Sequence, residues 1–174
     1  MKPSNQNCPV KKIEYLLSPK GQYEQLKEEE AALIAEKDLI YSKGRNVLLK
    51  FLAEKFDMPM RWIGKNAFAF TMTRPDGLKE DFCTIDFMLD YKTDKFSKIE
   101  LGYYSTTESS DFELTRLVNI GKIASVIKSH QSEMLSKMDD VEVEFDVIPV
   151  YVRLAHVKNE LVDISAKLNY IIKS

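Results

Sequence analysis

At 174 residues, 44% hydrophobic and 30% charged, the chain is long enough to bury a real core, and its composition is ordinary for a soluble globular protein. A formal net charge of −2 excludes the whole-chain basic footprint of a dedicated nucleic-acid binder. No run approaches the ~18 apolar residues of a membrane span, and the start, MKPSNQNCPVKK, lacks the apolar region of a secretory signal.

Cys8 and Cys83 sit far apart in unlike contexts. That favours free thiols in a reducing compartment over a disulfide framework. The expected location is the cytoplasm, or a larger particle assembled there.

Residues 1–18 are polar apart from Ile13 and Tyr15–Leu17. Two prolines and three Asn/Gln residues argue for an N-terminal arm or a short edge strand rather than a helix. An arm ordered to its first residue would have to be tied down by the chain itself or by a neighbour, since free termini fray. Residues 19–174 are expected to form a single α+β domain.

Ser18 and Pro19 give a helix start, with serine as the cap and proline at the first helical position. Tyr23, Leu26, Leu33, Ile40, Val47 and Phe51 recur at near-helical spacing as far as Phe56. Ser42–Gly44 is expected to kink or split this helix, and Asp57-Met58-Pro59 to end it. The Glu28–Glu30 run reads as a solvated face.

Three strands are then expected as a meander over 62–104. Trp62, Phe68, Phe70 and Met72 share one side of the first strand. Pro75-Asp76-Gly77 turns the chain, with proline fixing φ and glycine taking positive φ. In the second strand Cys83, Ile85, Phe87, Leu89 and Tyr91 face the core, while Phe82, Thr84, Asp86, Met88 and Asp90 face away. In the third, Ile99, Leu101 and Tyr103 oppose Lys98, Glu100, Gly102 and Tyr104.

Ser110 to Glu113 forms a capping box for a helix from about Asp111 to about Met138, closed by Asp139-Asp140. Leu114, Leu117, Val118, Ile120, Ala124 and Ile127 give it a broad apolar stripe, and Gly121 inside the stripe allows close packing. VEVEFDV at 141–147 alternates strictly and reads as a fourth strand with Glu142, Glu144 and Asp146 outward, ended by Pro149. A last helix over 154–172 carries a heptad-like seam from Leu154 through Val157, Leu161, Ile164 and Leu168 to Ile171. The fold expected is α+β: a helix, a three-strand antiparallel meander, a helix, a strand and a helix, with helices packed on one face of a four-stranded sheet.

The chain has no Gly-rich phosphate loop and no Cys/His cluster of zinc spacing. His130 and His156 lie on different helices and read as surface residues. The remaining constellation is carboxylate. A short turn at Lys92–Lys95 sets Asp86 almost opposite Glu100 on the outer face. Like charges there destabilise a sheet unless something compensates. Lys98, one step along the same face, is one candidate, and a hard cation is another. The plain alternative is a wet outer face of a half-exposed sheet.

The order of helix, three-strand meander, helix and strand over about residues 20–152 is similar to the core of the PD-(D/E)XK nucleases. The resemblance implies Asp86 and Glu100 as metal ligands for magnesium, with Lys98 standing in for the lysine that Gly102 replaces. Pro75-Asp76 and Asp90-Tyr-Lys92 match the letters of the motif but fall in turns.

Three functional expectations follow. The leading one is a non-catalytic interaction or assembly protein. It would be intracellular, such as a bacterial or phage structural or accessory component, and act through helices, the arm and an acidic sheet face. It would self-assemble as a homo-oligomer or bind a protein partner. The second is a metal-dependent nuclease, or an inactive relative, using Asp86, Glu100 and Lys98. The third is a single-stranded nucleic-acid-binding module using sheet aromatics; against it, most of those aromatics fall on the core side.

Overall fold

A computed structural model describes residues 9–103 and 110–173. Its elements are α1 (Pro9–Leu17), α2 (Pro19–Phe56), β1 (Met60–Gly64), β2 (Ala67–Thr73), β3 (Lys79–Asp90), β4 (Lys95–Tyr103), α3 (Asp111–Glu144) and α4 (Ile148–Lys173). The fold is α+β, with one four-stranded antiparallel sheet in the order β1-β2-β3-β4. The chain gathers into two compact units, Met1–Tyr41 with Asp146–Ser174, and Ser42–Phe145. Among the described residues no helix is long and apolar enough to cross a membrane.

In the first unit, the segment expected as an arm or edge strand is helical from Pro9 to Leu17, while residues 1–8 lie outside the described residues. Pro9 at the first helical position gives up a backbone N–H that a helix start leaves unpaired in any case. The lysines, glutamate and leucines that follow are good helix formers. Ser18 separates this helix from the next, and its hydroxyl accepts from the Gly21 N–H (3.1 Å) as the cap of α2. A Cβ on Gly21 would come within 2.0 Å of the Tyr15 carbonyl oxygen, so only glycine lets the two helices turn this tightly.

The α2 residues Tyr23, Leu26, Leu33 and Ile40 close one seam with Val150, Leu154, Val157 and Leu161 of α4. The two run antiparallel. Lys37 lies over the Tyr151 ring near one end, and Tyr23 lines a groove with Leu161 and Val162 toward the other. Pro149 does not end a strand; it occupies the first turn of α4, capped by Asp146, whose Oδ1 accepts from the Ile148 N–H (2.8 Å). Of the expected seam, Leu154 through Ile164 is buried, whereas Ile171 is exposed.

In the second unit, α2 passes Ser42–Gly44 without a break. Gly44 instead receives Phe145, whose Cβ would lie 3.1 Å from a Cβ added there. Leu48, Leu52 and Phe56 of α2 and Ile120, Ile123, Met134 and Met138 of α3 bury the sheet's apolar side, including Phe68, Phe70, Ile85 and Phe87. The expected first strand is in fact two. The chain reverses at Lys65-Asn66, and Trp62 pairs with Phe68. The sheet therefore has four strands without the segment 141–147, whose residues to Glu144 are the end of α3.

Residues 141–144 are helical because Met134, Met138 and Val141 continue the buried seam at helical spacing, which outweighs the local alternation. Val143 points away from that seam and is 81% exposed, as helical spacing requires. Asp139 does not close the helix. Its Oδ1 accepts from the Phe96 N–H (3.0 Å), so α3 satisfies part of the outer edge of β4.

Phe82 is not on the outer face. A bulge opposite Phe70 and Thr71 inserts it between the paired residues Asp81 and Cys83, and it joins the core, 6.4 Å from the Phe70 ring. Tyr91, expected in the core, lies in the turn after β3 and is exposed, as is Tyr103. Tyr104 lies outside the described residues. The apolar stripe of α3 also divides: Ile120 and Ile127 are buried, while Leu114, Leu117 and Val118 are each more than half exposed.

Candidate functional site

The outer face of the sheet is set by the pairing of β3 with β4. Asp86 stands directly opposite Glu100, Thr84 opposite Gly102, and Met88 opposite Lys98. On its other side Asp86 faces Ala67 of β2, so nothing large shields it from that direction. The three residues singled out from the sequence, Asp86, Glu100 and Lys98, are therefore brought onto one face.

Burial and, second, the neighbouring Glu100 carboxylate push Asp86 above the usual aspartate range. Lys98 forms an ion pair with Glu100. Chemically this is one weak acid beside one compensated carboxylate on an open surface.

The resemblance-implied lysine position is closed by geometry. A Cβ on Gly102 would lie 2.6 Å from the Thr84 hydroxyl oxygen, so a longer side chain there requires Thr84 to turn away. Thr84 uses that hydroxyl to donate to the Gly102 carbonyl (3.4 Å). Pro75-Asp76 lies in a turn, whereas Asp90 ends β3 and only Tyr91-Lys92 enter the turn after it: Gly77 has φ +83°, Asp76 accepts from the Leu78 N–H, and Asp90 accepts from the Lys92 N–H. Among the described residues no group of three or more His, Cys, Asp and Glu is placed to hold a metal ion. Two carboxylates can still share a magnesium ion whose other ligands are water or phosphate oxygens. Here the Lys98 ammonium competes with such an ion for Glu100.

The face is less acidic than its strand pattern predicts. Glu142 and Glu144 belong to α3, Asp90 is spent on its turn, and Asp81 is held by the Arg61 guanidinium, whose Nε lies 3.0 Å from Oδ1. Phe68, Phe70, Phe82 and Phe87 are all buried and offer no stacking surface.

Two buried cations were not anticipated. Arg45, 2% exposed, donates to the Lys65 carbonyl, to Asn66 Oδ1 (3.2 Å) and to Glu142. It thus joins α2 and α3 to the β1–β2 turn. Its signal in the sequence was position: it heads the run 45, 48, 52, 56 that forms the core face of α2. Arg116 is also buried, beside Glu113 (3.4 Å). Cys83 is buried, and desolvation pushes its thiol up to about 11 against the opposing field of Arg116, which makes it a poor nucleophile. His130 lies at the surface, 3.5 Å from Glu133, and His156 is exposed.

No protein-family model, curated protein or solved structure matches this chain.

Proposed function

We propose that the chain is a non-catalytic interaction or assembly protein that works through its helical surfaces. One observation carries this reading. The antiparallel pair of α2 and α4 buries one seam, while Val152, Val162, Tyr170, Ile171 and Ile172 of α4 all remain more than half exposed. Exposed apolar side chains in this number on one helix are the kind of surface that another protein covers. A shallow groove of about 370 Å3 beside the seam, lined by Tyr23, Lys27, Leu161, Val162, Ser165 and Ala166, continues the same surface.

The test is chemical cross-linking and light scattering of the full chain, with Val162→Glu and Ile171→Glu as variants. Both positions are exposed, so thermal stability should change little. Association, with itself or with an added partner, should weaken in both. A wild type that cross-links to nothing and has the mass of one chain at every concentration overturns the reading.

A second reading is favoured by the register of Asp86 with Glu100: a magnesium-dependent nuclease, or a relative that has lost the activity. Nuclease assays and thermal shift with magnesium or manganese, on wild type and Asp86→Ala, decide it. Cleavage or a metal-dependent shift that Asp86→Ala abolishes supports it. Neither effect in the wild type excludes it.

A further inference from the structure

The solvent side of α3 carries a second ordered stripe, diametrically opposite the buried seam. Asp111, Leu114, Val118, Gly121, Ser125 and Lys128 recur every three or four residues, and all six are exposed. Gly121 is the unusual member. It lies in a helix interior, where glycine is unfavourable by about 1 kcal/mol relative to alanine. Nothing among the described residues requires it, since a Cβ there meets no atom of theirs within 4 Å. Their packing gives no reason for that glycine; a close approach from outside them does.

The stripe also matches itself. Laid antiparallel on a second α3, with the two-fold axis between Asn119 and Ile120, Val118 of one copy meets Gly121 of the other. Leu114 meets Ser125, and Asp111 meets Lys128. Each contact occurs twice, as an isologous interface requires. Neither Asp111 nor Lys128 has an ion-pair partner among the described residues, so both charges remain available. The branched Val118 side chain fits the gap over Gly121, and opposite charges close both ends.

We propose that a second copy of this chain docks on α3, antiparallel and centred between Val118 and Gly121. This rests on the reading of the chain as an association protein and names its partner. One helix stripe buries less than the ~800 Å2 per partner of a standard interface, so the dimer is expected to be weak and concentration-dependent.

The test is light scattering of the full chain over a concentration range, with three variants. Asp111→Lys and Lys128→Asp each set like charges against one another at both ends and should weaken the dimer roughly tenfold. Mixing those two variants in equal amounts restores both opposite-charge contacts and should restore the dimer. Gly121→Leu should raise thermal stability, because it removes a helix-interior glycine in open space, and yet abolish the dimer. A wild type that stays at the mass of one chain overturns the proposal. So does a dimer that ignores the charge swaps and Gly121→Leu. In that last case sensitivity to Val162→Glu keeps the wider reading of an association protein, whereas loss of all association removes both.

Discussion

Arg45 is the residue on which the second unit depends most visibly. A guanidinium 2% exposed is tolerated because its donors are used by the Lys65 carbonyl, Asn66 and Glu142. Arg45→Met should destabilise the fold by about 2–4 kcal/mol, since it strands a carbonyl and a carboxylate. Glu142→Gln should cost less than about 1.5 kcal/mol, because glutamine still offers an acceptor and the position is partly hydrated. Urea denaturation of both variants measures this, and equal costs would contradict it. The shift of Asp86 is opposite in sign to that of a salt-bridged aspartate. Its folded-state pKa is raised, by burial first and Glu100 second. It therefore favours folding below the ordinary aspartate range, and that contribution is lost as pH rises through the folded value. Asp86→Asn should stabilise the protein at pH 7 by a few tenths to about 1 kcal/mol, the size of a cross-strand like-charge pair. The gain should vanish on acidification. A variant less stable than wild type at neutral pH would mean that the carboxylate has a favourable partner. Cys83, with its thiol held up to about 11, should resist thiol reagents in the folded protein and react only on unfolding. Mass spectrometry of a Cys8→Ser variant checks this.

At the scale of elements, α3 holds the clearest test of sequence against structure. Val141 is fully buried and Val143 is 81% exposed, although strict alternation would place both on one side of a strand. Val143→Lys should change stability by no more than about 0.5 kcal/mol. Val141→Lys should cost more than about 3 kcal/mol, because it buries a charge among Met134, Met138 and their neighbours. Comparable losses from both would argue that 141–147 is extended after all. The α+β class, the helix starts at Ser18 and Ser110, the Asp76-Gly77 turn and the opposition of Asp86 to Glu100 were all legible, because each is set by contacts between near neighbours. What was not legible depended on distant partners. The turn at Lys65-Asn66 is held by Arg45 from twenty residues away, and the helicity of 141–144 is held by a core made with the sheet. Phe82 entered the core through a bulge, which shifts the side-chain alternation in a way that residue type alone does not reveal. The face with Asp86, Glu100 and Lys98 could be located from the sequence, but its weak acidity could not, since Glu142 and Glu144 left it with the fourth strand.

For the whole molecule, two compact units each present apolar side chains on helices whose opposite sides are already packed. Such surfaces are ordinary when scattered and informative when periodic. The Leu114–Val118–Gly121 stripe of α3 is periodic, and the exposed valines, tyrosine and isoleucines of α4 are numerous but spread around the helix. Assembly through helical faces accounts for both, and the α3 stripe supplies a self-complementary geometry. The most direct measurement is sedimentation equilibrium of the full chain from low to high micromolar concentration. Assembly predicts a weight-average mass that rises above one chain with concentration, and that Gly121→Leu holds at one chain. A wild type with the mass of one chain throughout would contradict it.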